Sequence, residues 1–68
     1  MVDSDPWAIL YVDSVEVGLT PIAGYRMPFG THELRLEQEG YRTMTTSIEV
    51  TNSRRIVLSY RLEPRKRR

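Results

Sequence analysis

The chain of 68 residues carries ten basic and nine acidic side chains, one histidine and no cysteine. This length allows one domain with a small core, and the composition provides neither a disulfide nor a conventional zinc site. The longest apolar run, residues 8–12, is far shorter than the roughly 20 residues of a membrane helix, and the acidic start MVDSDPW does not resemble a signal peptide. We therefore expect one soluble domain without a metal, a cofactor, a membrane span or an export signal.

Patterns typical of β-strands follow one another along the chain, and helical periodicity is absent. Residues 8–12, AILYV, are apolar on both faces, which predicts an inner strand, and residues 17–21 follow until Pro21 ends the ladder. Residues 32–38 alternate, with Leu34 and Leu36 facing the core and charged side chains facing water. Residues 41–50 and 55–62 continue the pattern, and their predicted inward side chains are Met44, Ile48, Val50, Ile56, Leu58, Tyr60 and Leu62.

Turn residues separate these strands at short intervals. The predicted structural turn positions are Asp13, Gly18, Pro21, Pro28, Gly30 and Gly40, and residues 51–54, TNSR, indicate a further turn. Gly40 is expected to take the positive φ of a tight reversal. Because the connections are too short for helical crossovers, pairing should be mostly antiparallel, and the last two strands should form a hairpin. The sequence therefore predicts an all-β fold, a small antiparallel β-sandwich of about six to seven short strands.

The charge divides the chain into a mildly acidic body and a basic end. Residues 1–64 hold six basic against nine acidic side chains, whereas the last four residues are all basic: Arg65, Lys66, Arg67 and Arg68. We assign residues 1–63 to the domain and residues 64–68 to a tail that is either a solvated terminus or a contact for an anion such as phosphate or acidic lipid. No aromatic residues alternate with these charges, so we do not expect a nucleic-acid partner, and we expect membrane contact only through this tail or a neighbouring segment.

No arrangement of residues indicates catalysis. Asp13 could join Asp3 and Asp5 as metal ligands, but an apolar strand separates it from them, so we expect it to accept a backbone hydrogen bond in a turn. His32 could act as a general base, yet the sequence suggests no nucleophile or orienting partner for it, and we expect a cross-strand role. The glutamates of the strands cannot flank a sugar-binding cleft in a domain this small. We therefore predict no catalytic and no metal-binding residue.

Three aromatic side chains lie in or beside predicted loops: Trp7, Tyr25 and Phe29. Exposed, they are the candidate binding surface for a protein or, by stacking, for a glycan. For Trp7 we favour a structural role over binding: it should cover one end of the sandwich, because a small core needs every large side chain. The other tyrosines fall within strand patterns and are expected in the core: Tyr11, Tyr41 and Tyr60.

The order and spacing of several short motifs resemble the PEGA domain family. Three stretches carry the resemblance, which covers residues 4–62: AILYVDSVEVGLTP, MPFGTHELRLEQEGY and IEV. The matching positions are Ala8, Val12, Asp13, Gly18, Thr20, Pro21, Pro28, Gly30, His32, Leu34, Leu36, Gly40 and Tyr41. Two places depart from the family pattern: DPWA stands where the family has Pro-Glu-Gly-Ala, and Ser14 stands where it has a glycine. Ser14 must therefore either adopt a positive φ or belong to a different turn.

The resemblance implies a small β-sandwich of bacteria and archaea that is often appended to envelope or surface proteins, or to Ser/Thr protein kinases, as a non-catalytic module. From it we expect a non-enzymatic accessory domain of a larger protein. Such a domain would act as a spacer, or would dock another protein or a neighbouring domain of its own chain. The alternative is a carbohydrate or cell-wall binding module that uses the loop aromatics. We expect the parent protein at the cell envelope, with the cytoplasm as the alternative location.

Overall fold

A computed structural model of the chain describes residues 1–51 and 57–65. Six strands form the regular structure of this part of the chain: β1 (Val2–Asp5), β2 (Ile9–Val12), β3 (Val15–Leu19), β4 (Gly30–Glu37), β5 (Met44–Val50) and β6 (Leu58–Arg61). These residues contain no helix, and hence none that is long and apolar enough to cross a membrane. The predicted all-β fold and its number of strands are confirmed.

Four of the strands form an antiparallel sheet in the order β3-β2-β4-β5. The run AILYV contains β2, which lies inside this sheet as predicted. Leu10 pairs with Leu36 and Val12 pairs with Leu34, so these four side chains share one face. All four are buried, which confirms the alternation predicted for β4 and fixes its register against β2.

The second sheet consists of β1 and β6, which run parallel to each other. The sequence did not predict β1. Its residues Asp3, Ser4 and Asp5 are polar, and Val2 is its one buried residue. Parallel strands need a long crossover. Here the whole four-stranded sheet lies between β1 and β6 in the chain, so it serves as that connection.

The predicted hairpin of the last two strands is wrong, since β5 pairs with β4 and β6 pairs with β1. In the described residues, the segment before β5 and the segment after β6 pair at one place, where Tyr41 bridges Pro64 and Arg42 N donates to Glu63 O at 2.8 Å. We call this contact the foot. The inner face of the larger sheet needs a second layer to cover it. Pairing with β1 places β6 in that layer, which a flat hairpin with β5 would not do.

Hydrogen bonds join the two sheets at both margins. On one side Val2 bridges Ile22, with N to O distances of 2.9 and 2.8 Å, just beyond the end of β3. On the other side Arg65 N donates to Gly40 O at 2.9 Å, next to the bridge between Tyr41 and Pro64. The residues that the sequence assigns to the start of the basic tail, 64 and 65, therefore pair with the domain. The two layers form a sandwich that closes at both seams.

The core lies between the two sheets. Its buried apolar cluster consists of Val2, Ala8, Leu10, Val12, Leu34, Leu36 and Leu62. Partly buried side chains pack against it, among them the predicted inward residues Met44, Ile48, Leu58 and Tyr60. Each fully buried leucine contributes roughly 1.5–3 kcal/mol relative to an exposed one. Tyr41 and Tyr60 contact this cluster as predicted, whereas Tyr11 lies outside it.

Several predictions fall on residues that the structure does not describe. They are the turn at residues 52–54, the inward position of Ile56, and the tail residues Lys66, Arg67 and Arg68. At the other predicted reversal, Gly40 has a φ of 87°, which confirms the positive value expected there.

Candidate functional site

Asp13 begins the two-residue loop between β2 and β3, which Val12 and Val15 close as a pair. Asp13 and Ser14 have φ values of 52° and 70°, the pattern of a type I′ hairpin turn. The Asp13 carboxylate accepts from Glu33 N at 2.9 Å, and Asp13 N donates to Glu33 O at 2.8 Å. Asp13 thus accepts a backbone hydrogen bond as expected, but the donor is on β4 and not in the turn itself, so the bond ties this turn to β4.

His32 lies between Asp13 and the loop before β4. Its Nδ1 is 2.6 Å from Asp13 Oδ2, and its Nε2 is 2.8 Å from the carbonyl oxygen of Pro28. A carboxylate and a carbonyl only accept, so His32 makes both hydrogen bonds when both of its ring nitrogens carry a hydrogen, as they do in the protonated imidazole. We call Asp13, His32 and the Pro28 carbonyl the clasp. It confirms the cross-strand role of His32 and supplies the orienting partner that the sequence did not reveal.

The clasp shifts the titration of both its side chains. The hydrogen bond to Asp13, followed by the bond to Pro28, raises the pKa of His32 above its ordinary value of 6.5. The hydrogen bond from His32, followed by the bond from Glu33 N, lowers the pKa of Asp13 below its ordinary value of 3.8. A general base needs a free nitrogen lone pair. Both nitrogens of His32 lie within hydrogen-bond distance of an acceptor, so the clasp holds the Pro28 loop against the turn.

Thr20, which lies in the Gly-x-Thr-Pro motif, is the polar side chain that sequence reasoning missed. It is 4% exposed, and its hydroxyl accepts from Ala8 N at 2.9 Å. The same hydroxyl lies 2.7 Å from Ser4 Oγ, which donates to Pro6 O at 2.7 Å. We call these hydrogen bonds of the Ser4 and Thr20 hydroxyls the relay. The relay joins the end of β1, the start of β2 and the end of β3. The one sequence feature that indicates this hydrogen-bonding role is the threonine itself, in a motif whose other residues are apolar or form turns.

The predicted aromatic surface is divided between the two ends of the larger sheet. Trp7 O accepts from Gln38 Nε2 at 2.9 Å, and Gln38 directly follows the last residue of β4. Phe29 directly precedes the first residue of β4. The eight residues of β4, at about 3.3 Å each, therefore place Phe29 roughly 25 Å from Gln38 and from Trp7 beside it. Tyr25 lies in the loop between β3 and β4. The exposed fractions are 53% for Trp7, 40% for Tyr25 and 66% for Phe29, so all three are accessible but Trp7 and Phe29 share no platform.

In the chain, Trp7 comes just before residues that contribute apolar side chains to the outer face of the larger sheet. Because Ala8 and Leu10 are buried, the alternate side chains of β2, Ile9 and Tyr11, face outward. Ile9 pairs with Leu19 across the sheet, and Leu19 is 56% exposed. We call Trp7, Ile9, Tyr11 and Leu19 the outer patch.

Arg35 lies at one margin of the outer patch. Its guanidinium carbon lies 4.2 Å from the centre of the Tyr11 ring, and Arg35 pairs with Tyr11 across the sheet. Arg35 Nε lies 3.0 Å from Glu37 Oε2, and Glu37 pairs with Ile9. The patch is therefore an apolar surface with charged side chains on both sides: Arg35 and Glu37 on β4, and Glu16, which pairs with Tyr11, on β3.

The remaining predicted turn residues lie in strands or loops. Gly18 lies in β3 and pairs with Leu10 of β2, and Gly30 begins β4 and pairs with Val50, so the turn predicted at each of these glycines is wrong because both take part in strand pairing. Pro21 follows Thr20 beyond the end of β3. Asp3 and Asp5 lie in β1, and no group of three His, Cys, Asp or Glu residues within the described ranges could hold a metal ion.

A family model describes the chain as a PEGA domain, and the match covers residues 1–66 of the 68. No curated protein and no solved structure matches the chain.

Proposed function

The chain belongs to the PEGA domain family, and from that premise we propose that it is a non-catalytic accessory module that docks a protein partner through the outer patch. The observation that carries this proposal is the exposure of Leu19, which pairs with Ile9 across the sheet, together with the exposure of Trp7, two residues before Ile9 in the chain. Apolar groups of this kind on a monomer mark interaction surfaces. The partner is a second protein or a neighbouring domain of the same chain.

The composition of the outer patch supports a protein partner. Tryptophan, tyrosine and arginine are the residue types that most often dominate the binding energy of protein interfaces, and all three occur here as Trp7, Tyr11 and Arg35. The charged side chains of Arg35 and Glu37 lie at the margin, as the polar rim of an interface does. A bacterial Ser/Thr kinase or a cell-envelope protein is the setting that we propose for the whole protein.

Binding of a glycan or cell-wall fragment is the second candidate, because Trp7, Tyr25 and Phe29 are all exposed. The separation of Trp7 from Phe29 argues against a stacking platform formed by all three. Titration of Trp7 fluorescence with oligosaccharides and peptidoglycan fragments should therefore show no saturable change. A saturable change that Trp7→Ala abolishes in a folded protein would establish the glycan function in place of the docking function.

Site-specific crosslinking tests the docking function. A photoreactive benzoylphenylalanine at position 7, in cells that make the protein, should form a discrete adduct with one protein, and the same group at position 29 should not. The purified partner should bind Trp7→Ala and Leu19→Ala about tenfold more weakly than the wild type. Phe29→Ala is the matched control and should bind unchanged. Equal loss of binding for Phe29→Ala would contradict the assignment of the outer patch.

A further inference from the structure

A cleft of about 340 Å³ lies between the start of β5 and the end of β6, and it is lined by residues 42–45 and 61–63. At its foot Arg42 N donates to Glu63 O, and Tyr41 bridges Pro64. Beyond the foot, β5 pairs only with β4 and β6 pairs only with β1 within the described ranges. The cleft therefore lies at a fork between two strand edges that face each other without pairing. Such edges present N–H and C=O groups to any extended segment that enters.

The side chains around this fork carry a net positive charge. Arg42 and Arg61 are both exposed and line the cleft, and neither forms an ion pair with a described residue. Glu63 is the acidic residue of the lining. Arg65 N donates to Gly40 O beside the foot, so the basic end of the chain starts from the same corner of the molecule. This corner is basic although residues 1–64 as a whole are acidic.

We propose that the fork, lined by Arg42, Thr43, Thr45, Arg61 and Glu63, binds an extended acidic segment of a partner protein. The backbone of the segment adds as a strand along the edge of β5, and its carboxylates pair with the two arginines. The exposed hydroxyls of Thr43 and Thr45 supply further hydrogen-bond partners. A volume of about 340 Å³ is within the range of protein ligand sites. This site shares no residue with the outer patch, although Thr45 pairs with Arg35 at the margin of that patch, and it goes beyond the function proposed above.

The chemistry of the lining favours a peptide over other anionic macromolecules. Single-stranded nucleic acid is bound by aromatic stacking, and the lining formed by the described residues contains no aromatic side chain. A lipid headgroup would use the arginines but not the free strand edges. An acidic strand uses both features, which is why we assign the fork to it.

Fluorescence polarisation with a labelled peptide of alternating glutamate and threonine, about ten residues long, tests the proposal. The full chain should bind it saturably, and affinity should fall as salt rises. Arg42→Gln and Arg61→Gln should each raise Kd about two- to fivefold, and Glu63→Gln should lower it by a similar factor. Arg26→Gln removes the same charge from an exposed position in the loop before β4 and should leave Kd unchanged.

Two comparison ligands separate strand addition from plain charge attraction. The peptide with proline in place of each threonine keeps every carboxylate but loses the backbone donors of those positions, so it should bind at least about tenfold more weakly. Equal binding of the proline peptide, equal weakening by Arg26→Gln, or no saturable binding would overturn the proposal. Binding to phosphatidylserine vesicles that Arg42→Gln weakens as much as it weakens peptide binding would assign the fork to a membrane surface instead. Backbone amide spectra of each variant confirm that the fold is intact.

Discussion

At the scale of single residues, the Thr20 hydroxyl is the polar group with the largest structural consequence. It is buried, and it satisfies the N–H of Ala8, which is itself completely buried. A buried N–H without a partner costs about 1–3 kcal/mol. The threonine of the Gly-x-Thr-Pro motif is therefore explained by hydrogen bonding inside the fold rather than by binding.

Thr20→Val should lower the free energy of unfolding by about 1–3 kcal/mol, because valine has a similar shape but cannot accept from Ala8 N. Thr20→Ser keeps the hydroxyl, loses one methyl group and should cost about 0.8 kcal/mol. Urea unfolding of both variants measures the difference. If the serine variant is as unstable as the valine variant, the stability contributed by Thr20 comes from its methyl group and not from the relay.

Ser14 holds a conformation that favours glycine. Its φ of 70° lies in the left-handed region, and its side chain is exposed. The structure thus decides between the two turns considered for Ser14 in favour of the positive φ. Ser14→Gly should raise the free energy of unfolding by up to about 1 kcal/mol and should raise Tm.

The matched control for this change is Ser47→Gly, at an exposed position inside β5. There the same substitution should lower stability by about 0.5–1 kcal/mol, because glycine in a strand loses more conformational entropy. Thermal unfolding followed by circular dichroism compares the two variants. A drop in Tm for Ser14→Gly would contradict the account of this turn.

The clasp makes stability depend on pH in a defined direction. The pKa of His32 is raised on folding, so its contribution is complete below about pH 6.5 and is lost as pH rises through the folded value. The pKa of Asp13 is lowered on folding, so its contribution is complete above about pH 3.8 and is lost as pH falls through the folded value. The clasp should therefore stabilise the fold most between these two limits.

Urea unfolding of the wild type and of His32→Gln, from pH 5 to pH 9, isolates the histidine from the other titrating groups. The advantage of the wild type over His32→Gln should shrink as pH rises above 6.5. Titration of the His32 ring by NMR should give a pKa above that value. A constant advantage across this range would show that the protonated imidazole contributes no stability.

At the scale of elements, β1 is the strand whose contribution is least visible in the sequence. Val2 is its one buried side chain, at 3% exposure, and it packs in the core cluster. Val2→Ala should lower the free energy of unfolding by about 1–3 kcal/mol. Val57→Ala, at a position that is 67% exposed, should change it by no more than about 0.5 kcal/mol. Equal effects of the two changes would mean that β1 does not cover the core.

Strands with an alternating or fully apolar pattern could be predicted from the sequence because a half-buried sheet imposes that pattern. Leu34 and Leu36 in β4, and Ile48 and Val50 in β5, follow this rule. The sequence of β1 does not, since one valine among serine and aspartate carries no periodic signal. Without β1 as a partner, β6 could only be assigned to a hairpin with β5, and the parallel pairing was missed for that reason.

The candidate site could be predicted only in part, for a similar physical reason. That Asp13 turns the chain follows from local chemistry, but its bond to His32 joins residues 19 positions apart and depends on the register of β4. The exposure of loop aromatics is also a local property. Their grouping is not, because the distance between Trp7 and Phe29 is set by the whole length of β4, and the partners of Trp7 on the outer patch come from β2 and β3.

At the scale of the whole molecule, the layers of the sandwich determine which surfaces remain for binding. The inner faces of both sheets are used for the core, and the seams at Val2–Ile22 and Tyr41–Pro64 join the layers at their margins. Among the surfaces that remain are the outer face of the larger sheet and the fork between β5 and β6. The proposed docking function depends on the first of these surfaces, and above all on the exposure of Trp7.

Acrylamide quenching of Trp7 fluorescence is the most direct test of this account, because Trp7 is the only tryptophan of the chain. With 53% of its surface exposed, Trp7 should emit at the long wavelengths of a hydrated indole, and acrylamide should quench it about half as efficiently as free tryptophanamide. Blue-shifted emission that acrylamide barely quenches would mean that Trp7 covers one end of the core. That result would contradict the outer patch as a docking surface.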